Sequence, residues 1–114
     1  MEQEVANNVY ELSRDFALRI VNLYKFLTDE KKEFVISKQL LRSGTSIGAN
    51  SFEGKNAYSR EDFAYKMSVA LKEAGETGFW IDLLHRANYL DGLANLTTHL
   101  LLDSSSRLAT EGCA

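Results

Sequence analysis

Arg42, Ser46, Asn50 and Glu53 recur at intervals of four, four and three residues. On a helix turning 100° per residue they gather on one face, within about 80° of each other. A guanidinium, a hydroxyl, an amide and a carboxylate on one face support two kinds of chemistry. In the first they bind a nucleic acid, Arg42 on phosphate and Asn50 on a base edge. In the second they satisfy one another and fix helix register or a subunit seam. Arg42 would then pair with Glu53 at long reach, or with Glu76 from the following helix. Buried polar groups are as a rule satisfied internally and buried charges paired, which favours the second reading.

Lys55, Tyr58, Arg60, Tyr65 and Lys66 interleave basic and aromatic residues a few positions further on. Such a set binds single-stranded nucleic acid by stacking and charge. Glu53, Glu61 and Asp62 stand among them and cancel the charge, so a solvated surface carrying a helix cap is the favoured reading. Lys55, Tyr58, Arg60 and Lys66 remain the candidate nucleic-acid contacts. No catalytic, cofactor or metal set emerges. His85 and His99 have no carboxylate at metal spacing, and Cys113 lacks a basic neighbour to activate it. No serine sits in a nucleophile elbow. The glycines from Arg42 to Gly48 lack the lysine and the preceding strand of a phosphate loop.

The elements that position these residues read as helices. Val5, Val9, Leu12, Phe16, Ile20, Leu23 and Leu27 step by three or four, which predicts a first helix from about Gln3 to Leu27. Thr28-Asp29-Glu30-Lys31-Lys32 is a polar break of turn length. A second helix spans about Glu33 to Asn56 and contains Gly44, Gly48 and Gly54. Each glycine costs roughly 1 kcal/mol against alanine, a cost that close packing has to offset. Ser43, Gly44, Ile47 and Gly48 therefore mark a tight helix–helix seam. Ser59 reads as an N-cap for a third helix running to about Tyr89, with Asp62 at the positive end of its dipole. Phe63, Met67, Ala70, Ala74, Thr77, Ile81 and Leu84 alternate steps of four and three along it, a heptad-like seam. Asp91-Gly92 is the expected stop. A fourth helix begins near Leu93, with Leu96, Leu100 and Leu101 as its core.

Phe79, Trp80, Leu83 and Leu84 load one end of the third helix with more apolar surface than one seam needs. Leu84 belongs to the heptad. Phe79, Trp80 and Leu83 form either a subunit interface or the edge of a wide core stripe. Four helices with short connections predict an all-α fold, an antiparallel up-down-up-down four-helix bundle filling residues 1–114 as one domain.

The bulk properties agree. Proline is absent, 45% of the 114 residues are hydrophobic and 25% are charged. The net charge of -3 disfavours a dedicated nucleic-acid binder. The lone cysteine calls for no oxidising compartment, and Met1-Glu2-Gln3-Glu4 is acidic where a secretion signal is basic. No apolar run approaches a membrane span. The expected location is the cytoplasm.

Arg42-Ser43-Gly44-Thr45-Ser46-Ile47-Gly48-Ala49-Asn50 followed by Glu53-Gly54 carries a family resemblance. So do Ser59-Arg60-Glu61-Asp62-Phe63, Leu71-Lys72-Glu73-Ala74, Glu76-Thr77 and the upstream Phe16-Ala17-Leu18-Arg19-Ile20. Over about Leu12 to Leu90 the chain resembles the bacterial four-helix-bundle proteins encoded in intervening sequences of large-subunit ribosomal RNA genes, sometimes labelled S23 ribosomal protein. The resemblance implies a bundle that assembles into a ring of five, with no established enzymatic activity and no cofactor. It also implies kinship with the accessory protein of diversity-generating retroelements, a basic protein that partners a reverse transcriptase and nucleic acid. The chain departs from the family pattern at Ser51-Phe52, at Gly75 and Gly78, where polar or charged helix formers are common, and in its acidic balance. The resemblance tips Phe79, Trp80 and Leu83 toward a subunit interface.

Overall fold

The computed structural model describes residues 2–93. Among them are three α-helices and no strand: α1 (Glu2–Asp29), α2 (Ile36–Lys55) and α3 (Arg60–Arg86). The fourth helix expected from Leu93 lies outside the described residues, apart from Leu93 itself.

α2 packs against both α1 and α3. Going down α1, Ile20 lies against Gly44, Ser13 against Gly48 and Tyr10 against Phe52, so contacts descend α1 as they ascend α2. On the other side Ser43 meets Thr77 and Gly54 meets Met67, and contacts descend α3 in the same way. Phe16, Ile20, Leu23 and Leu27 of α1, Leu40 and Ile47 of α2, and Ala70, Ala74, Ile81 and Leu84 of α3 form one core, joined by Leu90.

The small residues of α2 face two ways. A β-carbon on Gly44 would stand 2.7 Å from Ile20 Cγ1, inside any real contact distance. One on Gly48 would meet the Ser13 carbonyl at an ordinary 3.5 Å. The tight approach to α1 is therefore at Gly44, while Gly48 has room for a methyl group. Ser43 and Ile47 are buried beside them. The Thr77 hydroxyl donates to the Glu73 carbonyl at 2.8 Å and shares a 2.9 Å hydrogen bond with the Ser43 hydroxyl, pinning α2 to α3.

The helix ends differ from the sequence expectation for local reasons. α2 begins at Ile36 because Glu33 turns back as its cap. The Glu33 carboxylate accepts from the backbone amides of Val35 (3.1 Å), Ile36 (2.9 Å) and Ser37 (2.6 Å). Lys32 takes a positive φ of 55° to allow the turn. Burial by itself raises the Glu33 carboxyl, but the amides of Ile36, Ser37 and Val35 together with the Ser37 hydroxyl outweigh it and hold it below the usual glutamate value. α3 starts as expected, with the Ser59 hydroxyl accepting from the Asp62 amide at 3.0 Å. It stops earlier than Gly92. Asn88, at φ 67°, takes the left-handed position, and the Tyr89 amide donates back to the Leu84 carbonyl at 3.0 Å while that of Asn88 reaches His85.

Two outcomes follow from this packing. Gly44→Ala is expected to lower stability by about 1–3 kcal/mol through overpacking against Ile20, whereas Gly48→Ala raises it by up to about 1 kcal/mol. Urea unfolding of the two variants checks the contrast. Glu33→Gln is expected to cost about 1 kcal/mol at neutral pH. A lowered folded-state pKa stabilises above the unfolded value and loses that contribution as pH falls through the folded one. The gap between wild type and Glu33→Gln therefore closes as the pH falls below the ordinary glutamate range, as read from melts over pH.

Candidate functional site

The structure divides the polar face of α2 into three groups. Arg42 reaches across to α3, where it pairs with Glu76 and lies 3.3 Å from Glu73. Its Nε also donates to Gln39 at 3.4 Å. The Glu76 carboxylate in turn accepts from the Trp80 indole N–H at 3.0 Å. Ser46 and Asn50 pair locally, the Asn50 amide donating to the Ser46 carbonyl at 2.9 Å and to its hydroxyl at 3.1 Å. Glu53 turns to Lys66, 3.5 Å away. Of the two partners expected for Arg42 the structure has Glu76 and not Glu53, and the single network of Arg42, Ser46, Asn50, Glu53 and Glu76 is corrected to three separate groups. Glu53 is three helical turns from Arg42, and a closer cation on α3 takes it. The Arg42 side chain is 50% exposed, so this is a surface rim and not a buried ion network. Glu73 and Gln39 were not anticipated. Glu73, Glu76 and Trp80, at steps of three and four on one face of α3, were the available signal.

The basic and aromatic residues near the α2–α3 turn do not meet in one place. Tyr58, 92% exposed, stands between two depressions. One, of about 180 Å³, is lined by Gln3, Lys55, Tyr58, Ser59 and Arg60. The other has Lys66 beside Glu53 and Asp62. Lys55 lies over the Tyr10 ring at 4.9 Å, Arg14 approaches the same ring at 5.8 Å, and Phe52 packs against it at 5.6 Å. The cluster around Tyr10 escaped the sequence reading because it joins helices far apart in the chain.

On α3, Phe79 is 59% exposed and Leu83 is exposed one turn on. Trp80 is half-buried and packs edge-on to Phe79, with ring centroids 5.0 Å apart. Among the described residues no group of three or more His, Cys, Asp and Glu is placed to hold a metal ion. No helix among them is long and apolar enough to cross a membrane.

Residues 6–110 match the 23S rRNA-intervening sequence protein family. The chain belongs to that family. It is also similar to a crystal structure of a protein of unknown function from the S23 ribosomal protein family of Bacteroides thetaiotaomicron VPI-5482. The two are 47% identical and superpose with a TM-score of 0.86, covering 96% of this chain and 95% of that one. Nothing matches among curated proteins. In this member of the intervening-sequence family the residues that carried the resemblance on α2 and α3 include Ser43 and Thr77, which pin the two helices together, Gly44 and Gly48, which face α1, and Arg42 and Glu76, which pair on the outer side.

Removal of a shared acceptor should weigh more than removal of the exposed cation. Glu76→Ala leaves both Trp80 Nε1 and Arg42 short of a partner and is expected to cost about 1–2 kcal/mol. Arg42→Ala is expected to cost under about 1 kcal/mol, since half of the side chain is in solvent. Denaturant midpoints of the two variants give the comparison.

Proposed function

We propose that the chain is a cytoplasmic, non-enzymatic scaffold acting as a homo-oligomer. Each subunit is an antiparallel up-down-up-down four-helix bundle, and the copies close a ring, of five by family resemblance. What carries the reading is the exposed face of α3. Phe79 and Leu83 stand in solvent beside Trp80, and a large exposed aromatic next to a half-buried one is the composition of an interface centre. Arg42, Glu73 and Glu76 form a polar rim next to it. The bundle geometry has its own support. α1 and α3 lie on opposite sides of α2 without close approach of their backbones, the diagonal arrangement that leaves a fourth corner for a helix after Leu93. Phe79→Glu is expected to lower the mass in solution to that of one chain, 12.8 kDa, with the helical circular dichroism unchanged. Light scattering after size exclusion tests this. A variant that keeps the wild-type oligomer sets the α3 face aside.

A second reading has one observation in its favour. Tyr58 is almost fully exposed with Lys55 and Arg60 on one side and Lys66 on the other, a stacking platform for an unpaired base. The chain would then be an RNA- or DNA-associated accessory protein of a nucleic-acid enzyme such as a reverse transcriptase. Glu53 and Asp62 weigh against it, as does the net charge of -3. Adding single-stranded RNA at low salt in the same light-scattering run separates the two, since only the second reading gives a mass increase that salt reverses.

A further inference from the structure

Gly75 is exposed in the middle of α3, and a β-carbon built on it would meet nothing within 4 Å. No contact among the described residues accounts for a glycine there, although it weakens the helix. Leu18, on the far side of α2, is 61% exposed in the middle of α1. The two stand at one level of the bundle. Ile20 meets Gly44 of α2, and the adjacent Ser43 meets Thr77, so Ile20 and Thr77 are level. Leu18 and Gly75 each lie two residues below, about 3 Å, on helices that run the same way.

Three exposed pairs of opposite sign share these levels, with Asp82 and Arg86 also pairing along α3 at 3.1 Å. Asp15 is level with Lys72, Lys25 with Asp82, and Asp29 with Arg86, and all six side chains are exposed. Each pair is of opposite sign. Glu4 and Glu61, level near the far end, are alike. These residues fall on one stripe of each helix, at steps of three and four that carry Leu18 and Gly75 between them.

We propose, on the reading that the chain self-assembles, that α3 of one copy docks on α1 of the next, with Leu18 entering the notch at Gly75 beside Phe79. Rotation about an axis parallel to the helices keeps every residue at its own level, so Lys72 meets Asp15, Asp82 meets Lys25 and Arg86 meets Asp29 across the contact. The two faces differ, so the contact is heterologous, and repeated about such an axis it gives a ring where the rotation closes. A two-fold dimer would instead bring α3 to α3 and leave Leu18 and the charged stripe of α1 uncovered. The occupant of the α3 face is thus a second copy of this chain, held by its α1.

Cysteine cross-linking tests the pairing. Cys113→Ser removes the sole native thiol, and Leu18→Cys and Gly75→Cys are added singly and together. On mild oxidation the double variant should give a covalent ladder up to the full assembly, and each single variant should stay uncrosslinked. Covalent dimers from Gly75→Cys alone would show a two-fold α3 contact and overturn the pairing. An oligomer by light scattering with no ladder from the double variant would overturn the pairing and leave the scaffold reading standing. A wild-type monomer would overturn both. Gly75→Gln provides a second readout. It fits the subunit without steric conflict, so helicity is kept, while the dissociation constant should rise at least tenfold. An unchanged constant would also overturn the pairing.

Discussion

The close approach of α2 to two neighbours at once is the constraint on which the rest of the structure depends. Gly44 admits Ile20 of α1 to a distance that no β-carbon would allow, while at Gly54 the near group on α3 is the terminal methyl of Met67, which can swing aside. Between them Ser43 is held by Thr77 through a buried hydroxyl pair. A helix with a larger residue at 44 would stand off from α1, and the core of Phe16, Ile20, Ile47, Ala74 and Ile81 would open. Three glycines weaken α2 as an isolated helix. Its stability comes from tertiary contact, so folding of this element and packing of the core are one event.

That constraint also shapes the surface. Because α2 holds α1 and α3 on either side of itself, the outer stripes of those two helices face solvent in different directions and stay in register. Other buried hydroxyls are satisfied close by in the chain: Ser13 donates to the Tyr10 carbonyl at 2.8 Å, and Ser37 to that of Glu33 at 2.8 Å. The Ser51 hydroxyl is buried with no partner among the described residues, a local weakness beside the Phe52 that packs on Tyr10. Charged groups sit outside the seam, where Arg42, Glu73 and Glu76 border Trp80. The interior thus fixes geometry, and any recognition falls to the exposed faces.

Much of this was legible in the chain, for reasons that can be named. The α3 seam from Met67 to Leu84 repeats at steps of four and three, and those six positions are buried, while Phe63 at its start is only half-buried because it lies on the first turn. The Ser59 cap depends on residues three apart and was readable. Helix ends set by less common devices were not. Asn88 accepts a left-handed φ without being glycine, which moved the stop away from Gly92, and Glu33 caps α2 from outside when its position suggested the first turn. Pairings between helices were the least legible part. The sequence places Arg42 and Glu53 on one face, but only the approach of α3 decides that Arg42 goes to Glu73 and Glu76 and that Glu53 goes to Lys66. Lys55 and Lys66 were grouped by proximity in the chain, whereas the turn between α2 and α3 sends them to opposite sides of Tyr58.

Membership of the 23S rRNA-intervening sequence protein family leaves the biochemical role to the surfaces of the subunit, and the proposed scaffold stands or falls on self-association. The most direct measurement is the native mass of the wild-type chain over a dilution series through the micromolar range. The account predicts a closed multiple of the 12.8 kDa chain mass, five by family resemblance, that persists on dilution and is unaffected by added RNA. A mass of one chain at every concentration would contradict it.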